Sequence, residues 1–311
     1  MENQTTVSEL TLLGLSYLPK LEHQVFVMFL LAYLATLSGN LLIMVLILTD
    51  KHLHTPMYFL LGNLACVDVC YSQVTGPRML LDFYSTKKII SYQSCLTQAF
   101  FFMCFARCEC YLLVVMSYDR YVAVCHPLHY IQTMSWNRCT HLIILILALG
   151  SSYSLVEILF TLRLTFCGPS TIHNFFCDLP QLLTLSCTDT FPNMLLLFVL
   201  GGIISFSAFF ATFLPYVYIF YTVHRIQTKN IKLKALSTCT SHLTVVCIFY
   251  GTLCFAYLHP HSRYFDADIV VAVVYAAILP LLNPIIYSLR NGEIRSALGR
   301  MKKKCFLKTS K

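Results

Sequence analysis

Long apolar runs recur along this chain, and they limit its fold more than any short motif does. At about 24–48, 57–80, 95–121, 139–160, 194–222, 237–259 and 269–289 the residues are mostly apolar. About 20 residues of helix cross the roughly 30 Å of bilayer hydrocarbon. Backbone N–H and C=O groups find no partner in lipid, so each run must satisfy them internally as a helix. With 57% hydrophobic and 12% charged residues in 311, too little polar surface remains for a soluble domain. The expected fold is an all-α integral membrane protein: a single domain over 1–311, built as a seven-transmembrane helix bundle.

Lysine and arginine set the orientation. If residues 1–23 lie outside the cell, the inner segments hold Lys51, Arg120, Arg138, Arg225, Lys229, Lys232, Lys234, Arg290, Arg295, Arg300 and the tail lysines. The outer segments then hold Lys20, Arg78, Lys87, Lys88, Arg163 and Arg263. The formal +8 therefore gathers on the inner face, which suits anionic membrane lipid and an intracellular protein partner rather than nucleic acid. Residues 290–311 become a cytoplasmic helix and tail. There Ile294, Ala297, Leu298 and Met301 share one face opposite basic residues, as in a short amphipathic helix lying on the membrane. Cys305 beside that basic run is a palmitoylation candidate. No basic start followed by an apolar core precedes the first span, so that span is expected to act as its own insertion signal. Asn3-Gln4-Thr5 is an N-glycosylation acceptor, and an outer N-terminus puts Asn3 where it can be modified.

Of the 15 cysteines, Cys95, Cys167, Cys177 and Cys187 fall outside, where the secretory pathway oxidises thiols. Four cysteines allow three pairings, and spacing does not choose among them. Cys239 and His242 lie three apart with no second ligand pair, which is short of a metal site. The chain has no Gly-rich phosphate loop, no HExxH and no nucleophile arrangement, so no enzyme is expected.

Polar residues inside the spans are costly and therefore informative. Asp68 in span 2 and Glu109 in span 3 each lie eleven residues from an inner landmark, Met57 and Arg120, or about 16 Å deep. Asn283 in span 7 lies a little nearer the inside, and Asn40 in span 1 near mid-membrane. Two acids at one depth call for a pairing partner, a shared proton or a cation, with Na+ as the candidate at Asp68 and Glu109. The alternative is a buried hydrogen-bond cluster without a switching role. Arg107 stands two residues outward of Glu109 on nearly the opposite helix face. It stays charged and must find an acid, carbonyls or water. Either it forms a structural ion pair, with Glu157 of span 4 as the candidate partner, or it meets a polar or anionic end of a ligand.

Five separated blocks resemble the olfactory (odorant) receptors, a branch of the rhodopsin-like (class A) G-protein-coupled receptors. They are L-H-T-P-M-Y-F from Leu53, M-S-Y-D-R-Y-V-A-V-C-H-P-L from Met116, the outer cysteines, K-A-L-S-T-C-T-S-H from Lys234, and P-L-L-N-P-I-I-Y-S-L-R-N from Pro280. Phe249-Tyr250-Gly251 adds to them. Trp136 precedes span 4 rather than lying in it, and Pro215 stands where a serine is usual before Tyr216. That proline is expected to kink the inner end of span 5.

The resemblance implies disulfides Cys95–Cys177 and Cys167–Cys187. It implies an outer pocket for a small, mostly apolar volatile odorant, drawn from Phe102, Met103, Ala106, Arg107, Leu200, Ile204, Ser205, Tyr250, Leu253, Cys254, Tyr257, Val273 and Ala276. It places Asn40 beside Asp68 and makes Asp119, Arg120, Tyr121, Tyr216, His242, Asn283, Pro284 and Tyr287 the switch that couples to a heterotrimeric G protein. That partner would be the stimulatory type that raises cyclic AMP, in the plasma membrane of sensory cilia. Pro284 frees a backbone carbonyl inside span 7, which Asn283 is expected to help satisfy. A non-olfactory rhodopsin-like receptor is the alternative in the same class. A channel or transporter is the alternative in another class, and it would predict repeated halves that the sequence does not show.

Overall fold

The computed structural model describes residues 9–14, 22–85, 87–167, 170–225, 227–258 and 273–309. Among the described residues, seven long helices form one bundle. They are α1 (Glu22–Thr49), α2 (Pro56–Asp82), α3 (Tyr92–Cys125), α4 (Trp136–Thr161), α5 (Phe191–Arg225), α6 (Lys229–Leu258) and α7, which opens as a π-turn over Val274–Ile278 and continues as Leu279–Arg290. α5 likewise contains a π-helical stretch, Leu195–Leu200, and then continues through Pro215 as one helix, Gly201–Arg225. Helix α8 (Gly292–Thr309) follows α7 after a single residue.

The helix at the centre is α3, which packs against α2, α4, α5 and α6, while α1 closes the ring against α2 and α7. Its composition explains that position. Buried residues such as Cys104, Cys108, Leu112, Leu113, Met116 and Val122 occupy more than one of its faces, so no single stripe is reserved for lipid. The outer helices divide the work differently. Leu31 and Leu48 of α1, Ile144 of α4, and Ile203, Phe206, Phe210 and Phe220 of α5 are exposed, as apolar side chains meeting lipid must be. Helices α1, α3, α4 and α5 are each long and apolar enough to cross a membrane by themselves.

Since lipid is as apolar as leucine, helices associate through close packing and polar contacts. Gly150 of α4 is one such contact. A Cβ there would stand 2.8 Å from Cys108 Sγ and 3.2 Å from the Cys104 carbonyl, so only glycine lets α4 lie this close to α3. Gly39 of α1 is another, with Pro284 of α7 only 2.9 Å from the position of a Cβ.

At the disulfide end of the bundle sits a three-stranded sheet that the apolar pattern did not suggest. Its strands are β1 (Glu9–Leu12), β2 (Ile89–Ser91) and β3 (Thr171–Ile172), in the order β2-β1-β3. β1 runs antiparallel to β2, pairing Leu10 with Ile90, and parallel to β3, pairing Leu12 with Ile172. Alternation along β1 buries Leu10 and Leu12 against Ile90, Ile172, Leu179 and the Cys95–Cys177 bridge.

At the opposite end, Asn291 anchors the start of α8. Its Oδ1 accepts from the Glu293 and Ile294 amides (3.0 and 3.3 Å) and from Tyr58 Oη of α2 (3.1 Å). Ile294 and Ala297 are buried and Leu298 and Met301 pack partly against the core, so the amphipathic face seen in the sequence is the one that docks. Arg300 Nε donates to Asp50 (2.7 Å), and the Arg300 guanidinium and His52 hold the Asp50 carboxyl well below the usual carboxylate range.

Candidate functional site

Three layers of polar and aromatic side chains lie along α3. The layer nearest the disulfides is aromatic. Cys177 is fixed to Cys95, and its backbone N–H donates to Gln98 Oε1 (3.0 Å), while Gln98 Nε2 donates to the Val74 carbonyl of α2 (2.9 Å). The second bridge, Cys167–Cys187, closes the same loop on itself. This pinning sets Phe175 and Phe176 over the bundle. Phe176 lies 4.5 Å from Phe102, which in turn lies 5.1 Å from Tyr71, and Val273 and Ala277 of α7 pack against the same cluster.

The expected pocket residues divide among several places. Phe102 and Val273 share the aromatic cluster under Phe176, whereas Met103 packs toward the sheet cluster. Ala106, Ile204 and Ser205 are half-buried. Tyr250 is buried on α6, its hydroxyl within reach of Thr212 Oγ1 (3.2 Å) and Cys110 Sγ (3.5 Å), with Leu253 one turn along. Leu200 is 43% exposed beside Val199, on the outward side of α5. The side chains of Cys254, Tyr257 and Ala276, like Asn3, Arg290 and Cys305, lie outside the described residues.

Arg107 turns to α4. Its guanidinium meets both Glu157 oxygens (2.6 Å), donates to Ser154 Oγ (2.8 Å) and lies 4.3 Å above the Tyr153 ring. The structural ion pair is thus the arrangement present. Ser154 and Tyr153 were not legible as its partners, because nothing in one sequence fixes the rotation of α4 against α3.

The middle layer is the buried acid pair. Asn283 Nδ2 lies 3.1 and 2.9 Å from the two Asp68 oxygens and 3.1 Å from Glu109 Oε1, so one amide serves both acids. Asp68, Glu109, Asn283 and Asn40 are each at most 3% exposed. Asn40 makes an interhelical hydrogen bond, as a buried amide in a span is expected to, and its partner is on α7. Proline lacks an N–H, so Pro284 leaves the Pro280 carbonyl without its helical donor. Asn40 Nδ2, not Asn283, supplies a hydrogen bond to it at 3.2 Å. Gly39 lets α1 approach Pro284 closely enough for this, so Gly39-Asn40 acts as one unit against the α7 proline.

The third layer surrounds Arg120. Arg120 donates to Asp119 Oδ2 through Nη2 (2.5 Å) and Nε (3.1 Å), and the other Asp119 oxygen accepts from Tyr130 Oη (2.8 Å). Burial and the neighbouring Asp119 raise the Tyr130 hydroxyl well above the usual phenol range, which keeps it a donor. Tyr121 Oη meets His126 Nε2 at 3.0 Å. Across the bundle, Tyr216 Oη bonds His242 Nδ1, and the His242 ring lies 6.4 Å from the Tyr287 ring. Ser117 Oγ donates to the Thr212 carbonyl (2.5 Å), tying α3 to α5 just above. The sequence assigns no partner to Tyr130 or Ser117, because each bond crosses between elements whose packing it does not fix.

Among the described residues no group of three or more His, Cys, Asp or Glu gathers as a metal cluster. The arrangement offers an aromatic cluster, a shared-amide acid pair and a clamped arginine in succession along α3.

A model of the olfactory receptor family matches residues 29–304. The chain is 46% identical over 306 residues to Olfactory receptor 5AR1 of Mus musculus, covering 96% of this chain and 97% of that protein. It is 46% identical over 302 residues to Olfactory receptor 1J2 of Homo sapiens, covering 96% of each. Among solved structures, squid rhodopsin superposes with a TM-score of 0.67 at 19% identity, over 92% of this chain and 86% of that one, which shows the shared seven-helix fold. The apolar spans, the clamped Arg120 and these similarities over nearly the whole length lead to one conclusion: the chain is a multi-pass membrane receptor, not an enzyme, and belongs to the olfactory receptor family.

Proposed function

We propose that the chain binds small, mostly apolar volatile molecules in a chamber that opens among the aromatic residues beneath Phe176, and that it activates a stimulatory G protein that raises cyclic AMP. The observation that carries this reading is the placement of Phe102 and the Arg120–Asp119 pair on the one helix α3, with Tyr130 of the following loop closing the clamp. A ligand shifts such an equilibrium only by binding one packing of the helices better than another. An apolar ligand touching Phe102, Tyr250 and Leu253 would favour a packing in which α6 moves from α3 and Arg120 leaves Asp119. A freed arginine at the inner face is an anchor for a protein partner.

The acid pair stands between these ends. Two carboxyls on one amide in a dry site favour a shared proton or a bound Na+. We assign Asp68, Glu109, Asn283 and nearby Asn40 to that role, with ion loss on activation. The proposal includes an outer N-terminus glycosylated at Asn3 and a basic inner face against anionic lipid, in the plasma membrane of sensory cilia; the excess of Lys and Arg in the inner segments supports that orientation. The test is a cyclic-AMP reporter screen of diverse odorants in cells carrying wild type or Arg120→Ala at equal surface level. A ligand-dependent rise in wild type that is lost in the variant is expected; equal responses in both would overturn the coupling mechanism.

A further inference from the structure

A second polar notch lies away from the chamber, between α4, α5 and the short loop helix Leu179–Thr184. Its walls are Glu157 and Thr161 of α4, Leu179 and Leu183 of the loop helix, and Asn193, Leu196 and Leu197 of α5. The enclosed part has room for one water-sized group. Asn193 is only 7% exposed and lines this space, yet no hydrogen bond joins its amide to another described residue. The amide opens onto the notch without a partner among the described residues, which leaves its hydrogen bonds to an occupant.

The chemistry of the walls narrows that occupant. Thr161 spends its proton on the Glu157 carbonyl (2.8 Å), which leaves the hydroxyl oxygen as an acceptor. The Glu157 carboxylate offers acceptors only, and Arg107 already balances its charge at 2.6 Å. Asn193 supplies both a donor and an acceptor. A neutral group that donates one hydrogen bond and accepts another fits these walls, whereas an ammonium or a carboxylate would add an unbalanced charge beside a neutral pair. The notch is four residues or fewer from the end of α4, about 6 Å in, and the surrounding helix faces are apolar, with Leu159, Leu162, Met194 and Leu195 exposed. Polar heads of amphiphiles rest at that depth while their bodies stay in hydrocarbon.

We propose that this notch is a second binding site, separate from the odorant chamber, for the single hydroxyl of an otherwise apolar molecule whose body lies along α4 and α5. The hydroxyl donates to Glu157 or Thr161 and accepts from Asn193. Two sources carry this chemistry, a membrane sterol and a short-chain aliphatic alcohol. Because Glu157 also holds Arg107, an occupant here bears on α3, and any coupling to the chamber is reciprocal. The site stands on the notch alone and does not depend on the proposed odorant response.

The experiment uses the full-length receptor in lipid nanodiscs and two photoreactive probes, a diazirine-bearing cholesterol and a diazirine-bearing octanol, with labelled positions read by mass spectrometry. Labelling at 179–183 or 193–197 that excess unlabelled cholesterol or octanol removes is the expected result. Asn193→Leu should reduce that labelling about tenfold, as loss of one buried hydrogen-bond partner does. Thr161→Val serves the same purpose if the first variant fails to fold. Competable labelling by one probe alone supports the site and identifies its source. The proposal is overturned if neither probe gives competable labelling there, or if labelling is undiminished in the folded variants.

Discussion

Replacing Arg107 with methionine removes a cation while leaving the acid it neutralises inside the bundle. Glu157 is 3% exposed at its side chain and Arg107 17%. With charge centres about 4 Å apart and an effective dielectric of about 20, their attraction is roughly 4 kcal/mol. Breaking a buried pair by removing one partner costs about 3–5 kcal/mol, and the partial exposure of Arg107 favours the lower end, about 3 kcal/mol. Removing both charges is different, because no buried charge is stranded. Arg107→Met with Glu157→Leu should come within about 1 kcal/mol of wild type, since apolar pairs of similar volume replace buried ion pairs at little cost. The assay is thermal unfolding of the purified receptor in nanodiscs, run as a double-mutant cycle over wild type, both single variants and the double variant. A coupling energy of about 2–3 kcal/mol is expected. A double variant that loses as much stability as the two single variants added together would refute the pairing. A second readout addresses function: the double variant should keep the rank order of agonists, because Arg107 is engaged by α4.

Three further outcomes follow from other contacts. Asn283→Ala leaves Asp68 and Glu109 without their shared donor and should lower the melting temperature, whereas Asp68→Asn relieves the pair of one charge and should recover part of that loss. The comparison is thermal unfolding of the single and double variants; a double variant no more stable than Asn283→Ala would contradict it. Gly150→Ala forces a Cβ against Cys108 Sγ and the Cys104 carbonyl and should cost about 1–3 kcal/mol, whereas Gly202→Ala, with nothing within 4 Å, should be near neutral in the same unfolding assay. Asp50→Asn removes the carboxylate that receives Arg300, so amides along 293–301 should exchange faster with deuterium; unchanged protection would mean that the Asn291 cap and the apolar face hold α8 without the Arg300 contact.

Much of this receptor could be read one residue after another, because the bilayer imposes its rule locally. A run of about 20 apolar residues must be a helix wherever it falls, and a docking face must repeat at the helical period. That is why the bundle and the Ile294–Met301 face of α8 follow from sequence, and why the blocks around Asp119-Arg120-Tyr121 and Asn283-Pro284 point to a receptor family. Partners across the bundle obey no such local rule. Asn40 reaches Pro280 across 240 residues, and Leu10 pairs with Ile90 across a strand too short to announce itself. A helix apolar on every side has no pattern that fixes its rotation. Tertiary packing alone therefore decided that Arg107 turns to α4, that Asn40 rather than Asn283 serves the Pro280 carbonyl, and that Asn193 lines a polar notch with Glu157 and Thr161.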